Sequence, residues 1–147
     1  MASLSSQLDG FLGQLPPDFR YAVEIRNAGL LGAEYHKVLE THSVAHVYNH
    51  WSYMPPLAEQ HTRIGGFTAA FTVLRLLTPL KISYEAAMKR AELYTKIVEE
   101  LPEMRRDTVE LVRKAVAEYR RAYVLVNNRS EGNAPLTVQA LVDTLTG

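Results

Sequence analysis

The chain of 147 residues contains no cysteine, which removes disulfides, thiolate nucleophiles and thiolate metal sites together. It has no surplus of either charge. Sixteen basic residues are matched by sixteen acidic ones, so no global field draws in nucleic acid or an anionic membrane. No apolar run approaches the ~20 residues of a membrane span. The opening MASLSSQLDG lacks the basic and then apolar layout of a signal peptide. A soluble cytoplasmic protein is the default expectation. Neither GxGxxG nor GxxxxGK[ST] follows an apolar stretch, so no dinucleotide fold or P-loop is indicated and no cofactor is named. Tryptophan is scarce, with Trp51 alone.

What is present is the composition of an ordinary globular domain, 47% hydrophobic and 22% charged. The length suits one domain spanning residues 1–147. The most informative stretch is AYVLVNNRSEGNAP, from Ala122 to Pro135. Its Tyr123–Val126 run is short, apolar and rich in β-branched and aromatic residues, the pattern of a strand buried on both faces in a parallel sheet. Asn127 and Asn128 end it. A polar loop with Gly132 follows, and Pro135 stands where a helix would open.

The same plan recurs earlier. Leu4, Leu8, Phe11, Leu12 and Leu15 recur at helical spacing behind Ser3 or Ser5 as N-cap, up to Pro16-Pro17. FRYAVEIRN (Phe19 to Asn27) reads as a strand, followed by a helix through Tyr35, Val38 and Leu39. VAHVYNH (Val44 to His50) is the second strand, and Trp51 to His61 is a loop in which Pro55-Pro56 opens a short helical segment. FTVLRLL (Phe71 to Leu77) is the third strand. The stripe Ile82, Ala86, Leu93, Ile97 and Leu101 predicts a long helix broken at Pro102, and Val109, Val112, Val116 and Tyr119 form a second one. Pro135 to Leu145 closes the chain as a helix. The order α-β-α-β-α-β-α-α-β-α implies an α/β fold with a parallel sheet and right-handed crossovers.

The strands YAVEIRN, VAHVYNHW, FTVLRLL and YVLVNNRSEGNAP, in this order and spacing, resemble the second half of the DUF72 family of YecE-like TIM-barrel proteins. Glu24 and Arg26 match its first motif, Arg75 its second, and Asn127, Asn128, Gly132 and Ala134 its last. The chain departs from the family where Leu77-Thr78 replaces a His-Gly pair and Asn27 replaces a histidine. The resemblance implies four parallel β-α units, half of a (β/α)8 barrel, and no activity. Four such strands cannot close a barrel. The first and last are left with unpaired edges, which points to a homodimer completing the sheet or barrel. A truncated piece of a longer chain and an open sheet with rearranged helices are the alternatives.

Strand residues of a barrel alternate between interior and helix layer. With the apolar set assigned to the helices, Glu24, Arg26, His46, Tyr48, His50, Arg75 and Asn127 are expected inside. Arg26, His50, Arg75 and Asn127 then stand at the mouth, where barrel enzymes place their chemistry. Glu24, Arg26, His50 and Arg75 are the catalytic candidates, with Glu24 and Arg26 as acid/base and oxyanion clamp or, equally, as a structural ion pair. Trp51, Asn127, Asn128, Ser130 and Gly132 are the ligand-binding candidates, through a stacking platform and through donors near the Pro135 helix. His46 and His50, ~13 Å apart along a strand, cannot share one metal ion, and no metal site is assigned. His36, His42 and His61 are expected at the surface. Three functions stay open: a barrel half that binds a small anionic or sugar-phosphate ligand, an assembly fragment without catalysis, and a metal-dependent nucleic-acid-processing barrel. Neutral charge argues against the last.

Overall fold

The computed structural model describes residues 3–147. Helix α1 (Leu4–Leu12) is capped by the Ser3 hydroxyl, which accepts from the Ser6 N–H at 3.1 Å. Strand β1 (Ala22–Val23) leads through a 3₁₀ turn (Ala28–Leu30) to α2 (Ala33–Thr41). Then follow β2 (Ala45–His50), α3 (Leu57–Ile64), β3 (Phe71–Leu76), α4 (Tyr84–Ala91), α5 (Pro102–Ala117), β4 (Arg121–Val126), α6 (Asn128–Glu131) and α7 (Ala134–Thr146). The four strands form one parallel sheet in the order β1-β2-β3-β4. This is an α/β fold with the strands of half a (β/α)8 barrel. Among the described residues, no helix is long and apolar enough to cross a membrane.

Register fixes the faces. Val23 pairs with His46, Tyr48 with Leu74, and Leu74 with Val124, so these side chains share the face covered by helices. The core lies there, with Leu39 of α2, Leu57 of α3 and Leu111 of α5 packed under Tyr48, Leu74 and Leu76. Ala22, Ala45, Phe71 and Arg121 begin the opposite face, which continues through Val47, Asn49, Val73, Arg75, Tyr123 and Leu125. Arg20, just before β1, reaches across this second face to the Tyr123 hydroxyl of β4 at 3.3 Å, as expected of a sheet curled towards a barrel.

Four expectations need correction. The first strand is two residues long rather than nine. Beyond Val23 the chain leaves the ladder, and the Asn49 side-chain amide, not a β2 main-chain group, donates to the Ile25 carbonyl at 3.0 Å. The helix expected from Ile82 to Leu101 stops at Ala91. Leu93 and Tyr94 adopt positive φ (75° and 50°), and the segment after them hydrogen-bonds to α6 and its flank. Val98 N–H donates to the Glu131 carbonyl at 2.8 Å, and the Asn133 amide donates to the Tyr94 carbonyl at 2.7 Å. Pro102 is the first residue of α5, where its missing N–H costs nothing.

The third correction is that β4 is not buried on both faces. Arg121, Tyr123 and Leu125 are exposed in alternation with half-buried Ala122, Val124 and Val126, because no further strands wrap over the concave side. The fourth concerns His61, which is half-buried. Its Nδ1 lies 2.7 Å from the Tyr48 hydroxyl.

Candidate functional site

At the C-terminal ends of the strands, a pocket of about 110 Å³ is lined by Arg26, Trp51, Arg75, Leu77, Thr78, Tyr84, Asn127 and Arg129. Glu24 lies beneath it and organises two of the cations. Its Oε2 accepts from Arg26 Nε at 3.0 Å and its Oε1 from Arg75 Nη1 at 2.6 Å. Both carboxylate oxygens are thus engaged, which suits Glu24 to holding guanidinium groups in place rather than to proton transfer. The guanidinium of Arg26 also lies 4.7 Å from the Trp51 ring centroid, stacked as a cation on an aromatic face.

The third cation arrives from the other side. The guanidinium of Arg129 lies 4.6 Å from the Tyr84 ring centroid. Its Nε is buried without a hydrogen-bond partner among the described residues. Asn127 caps the short α6 through Oδ1, which accepts from the Arg129 N–H at 2.9 Å, leaving its side-chain N–H groups available to the pocket. Three guanidinium groups against the single carboxylate of Glu24 give this cluster a net charge of +2. Donors converge and acceptors are already used.

The structure therefore gathers Glu24, Arg26, Trp51, Arg75 and Asn127 from the expected set, and separates the remainder. His46, Tyr48 and His50 point into the helix layer, not into the barrel interior. Apolar content misassigns β2, because Ala45 and Val47 are its small apolar members and stand on the concave face, whereas the large polar aromatics find partners among the helices. His46 Nδ1 lies 2.8 Å from the Tyr35 hydroxyl and its Nε2 3.1 Å from Gln60 Oε1. His50 Nδ1 lies 2.8 Å from the Thr78 carbonyl. Neither histidine reaches Glu24. Asn128 faces solvent, its Oδ1 accepting from the Ala134 N–H at 2.8 Å at the start of α7.

Ser130 is fully buried, with Oγ 3.2 Å from Met104 Sδ. Gly132 has φ +125°, and a Cβ there would stand 2.4 Å from the Lys96 carbonyl oxygen, so it serves close backbone packing. One pocket residue escapes the sequence reading. Tyr84 sits at the start of α4, on a helix whose apolar stripe gave no reason to look at it. Arg129 belongs to the polar loop after the asparagine pair, which the sequence marks as a source of donors near the Pro135 helix. Glu131 is a second omission. It is fully buried, and its carboxylate takes a two-pronged contact from Arg105 (2.8–3.2 Å), the Leu101 N–H (2.7 Å) and the Thr137 hydroxyl (2.6 Å). Burial alone would raise its pKa. The Arg105, Thr137 and Leu101 hydrogen bonds outweigh it and hold the carboxyl below its usual range. It fastens α6, which carries Arg129, to α5 and α7.

Among the described residues, no group of three or more histidine, aspartate or glutamate side chains could hold a metal ion. Comparison with known proteins adds the family. A crystal structure of a DUF72 family protein from Thermotoga maritima superposes with a TM-score of 0.60 at 20% sequence identity, a likeness of fold. The match takes in 97% of this chain but 52% of that one, so the chain spans about half the length of its solved relative. No curated protein matches it. The family model described as "Protein of unknown function DUF72" matches residues 2–147, and the chain belongs to the DUF72 family.

Proposed function

We propose that the pocket at the strand C-termini binds a small phosphate-bearing ligand, such as a sugar phosphate, through Arg26, Arg75, Arg129 and Asn127. The observation that carries this reading is the convergence of three arginines, from the segment after β1, from β3 and from α6, on one small cavity beside Glu24, whose carboxylate is already shared between two of them. Arginine is suited to the task because its planar fork matches phosphate oxygens two at a time. The volume, about 110 Å³, takes a phosphoryl group and leaves the remainder of the ligand to extend towards the open side, past Trp51 and Tyr84. A binding role is all that these residues support, since no group in the pocket is arranged as a general base.

The reading includes a second copy of the chain. Its support is that β1 and β4 each have a neighbour on one side only, that Tyr123 and Leu125 stand exposed on the concave face, and that the solved relative is about twice as long. A two-fold axis along the barrel would set β4 of each copy beside β1 of the other, all strands parallel, and would wall the open side of the pocket.

Titration calorimetry with inorganic phosphate and with ribose 5-phosphate tests the ligand. Binding of the sugar phosphate is expected to be the tighter, and Arg75→Gln is expected to weaken both by roughly tenfold or more. Equal affinity of wild type and Arg75→Gln for both probes, or no heat from either, would refute it. Nucleic-acid processing has no comparable support, given the neutral chain and, among the described residues, no metal-binding cluster.

A further inference from the structure

A second cavity, of about 240 Å³, opens on the helix side of the sheet, away from the arginine pocket. Trp51, directly after β2, lines the arginine pocket, so the end of one strand serves both places. His50 lines the new cavity together with Pro79, Leu80 and the first turns of α5. It is 5% exposed. Its Nδ1 faces the Thr78 carbonyl at 2.8 Å. A carbonyl only accepts, so the proton sits on Nδ1 and Nε2 keeps a bare lone pair. Among the described residues nothing donates to that nitrogen.

Asp107 of α5 is 6% exposed and lines the same space. Its Oδ2 accepts from the Ala58 N–H of α3 at 3.2 Å, while among the described residues nothing donates to Oδ1. Glu103, four residues earlier and so on the same side of the helix, also lines the cavity. The remaining acid there, Glu99, is already paired with Arg90 at 2.9 Å. The unengaged polar side chains are thus all acceptors. An anion is repelled by two carboxylates, and no metal-binding cluster is present among the described residues. A ligand that fits must bring its own N–H groups and a positive charge.

We propose that this cavity binds a small primary alkylammonium ion, its three N–H groups shared among His50 Nε2, Asp107 and Glu103 and its stem lying on Pro79, Leu80 and Leu101. The ammonium is the compact cation with three donors to match three acceptors. The volume falls below the 300–1,000 Å³ typical of drug-sized pockets, which limits the stem to a few carbons. Burial raises the Asp107 carboxyl above its usual range despite the Ala58 hydrogen bond, as expected of an acid placed without its counter-ion.

The test uses the full ¹⁵N-labelled chain titrated with isopentylamine hydrochloride, with isopentanol as the uncharged control. The His50 Nε2 resonance, followed in long-range ¹H–¹⁵N spectra, is expected to move saturably with the amine, and the alcohol to bind at least roughly tenfold more weakly. Asp107→Asn keeps an acceptor for the Ala58 N–H. Glu103→Gln changes an exposed side chain and so leaves a folded protein to measure even if the first variant fails. Each is expected to weaken the amine by roughly tenfold. An unmoved Nε2 resonance at about 10 mM amine, equal binding of amine and alcohol, or wild-type affinity in Glu103→Gln would overturn the proposal.

Discussion

Glu24 uses each of its two oxygens on a different arginine, so the position of Arg26 depends on a geometry that a lysine cannot copy. An ammonium cannot donate to Glu24 through a rigid fork while lying flat over Trp51. Arg26→Lys is therefore expected to weaken phosphate binding by roughly tenfold while keeping the charge; titration calorimetry reads it. A different lesson comes from His46. Gln60 donates through its amide to the Asn49 and Pro55 carbonyls, both at 2.9 Å. Its oxygen must then accept from His46 Nε2, and His46 Nδ1 accepts from the Tyr35 hydroxyl. The network has a place for the neutral ring only. Burial, opposed weakly by the Gln60 hydrogen bond, pushes His46 down to about 4. The unfolded chain, with its histidine near 6.5, takes up the proton first, so stability is complete above that value and falls as the pH is lowered towards 4. Urea unfolding at pH 7 and pH 5 is expected to differ by about 2 kcal/mol from this residue alone, with His50, also lowered by burial, adding in the same direction.

At the scale of elements, the stretch from Glu92 to Leu101 shows why a helical stripe of leucine and isoleucine need not make a helix. Its apolar spacing is real, but Glu131 and Asn133 supply hydrogen bonds that only an unwound chain can take, and tertiary bonds outweigh a preference worth tenths of a kcal/mol per residue. The same competition hid the orientation of β2. Alternation told that His46, Tyr48 and His50 share a face, which is correct, but not which face, because polar aromatics satisfied by Tyr35, Gln60 and His61 behave as core. Strand order, parallel pairing and the Arg26–Arg75–Asn127 grouping were legible because they follow from local pattern and topology. Tyr84 and Glu131 were not, since their roles arise from partners 45 and 26 residues away in sequence. Glu131→Gln leaves the Arg105 guanidinium facing a neutral amide and is expected to cost about 3 kcal/mol. Gly132→Ala forces a methyl group against backbone and is expected to cost about 2 kcal/mol. In both, hydrogen exchange at the Val98 amide should rise more than at β2 amides. Uniform protection loss would instead show that α6 is not an independent fastening.

For the molecule as a whole, the unanswered edges of β1 and β4 decide the state in solution. Leu125 is 52% exposed on the concave face of the last strand, so Leu125→Lys should barely alter the stability of an isolated copy while placing a charge in the seam of a pair. Sedimentation is expected to show a dimer for the wild type at micromolar concentration and a monomer for the variant. A monodisperse wild-type monomer would remove the paired-barrel reading. The stacking of Arg26 on Trp51 has a practical sequel. Because the chain has one indole and that indole borders the arginine pocket, its emission reports on this corner of the protein without any label. A ligand that draws the guanidinium off the ring should alter brightness and colour in proportion to occupancy, so a cuvette and a lamp are enough to screen for what fills the pocket.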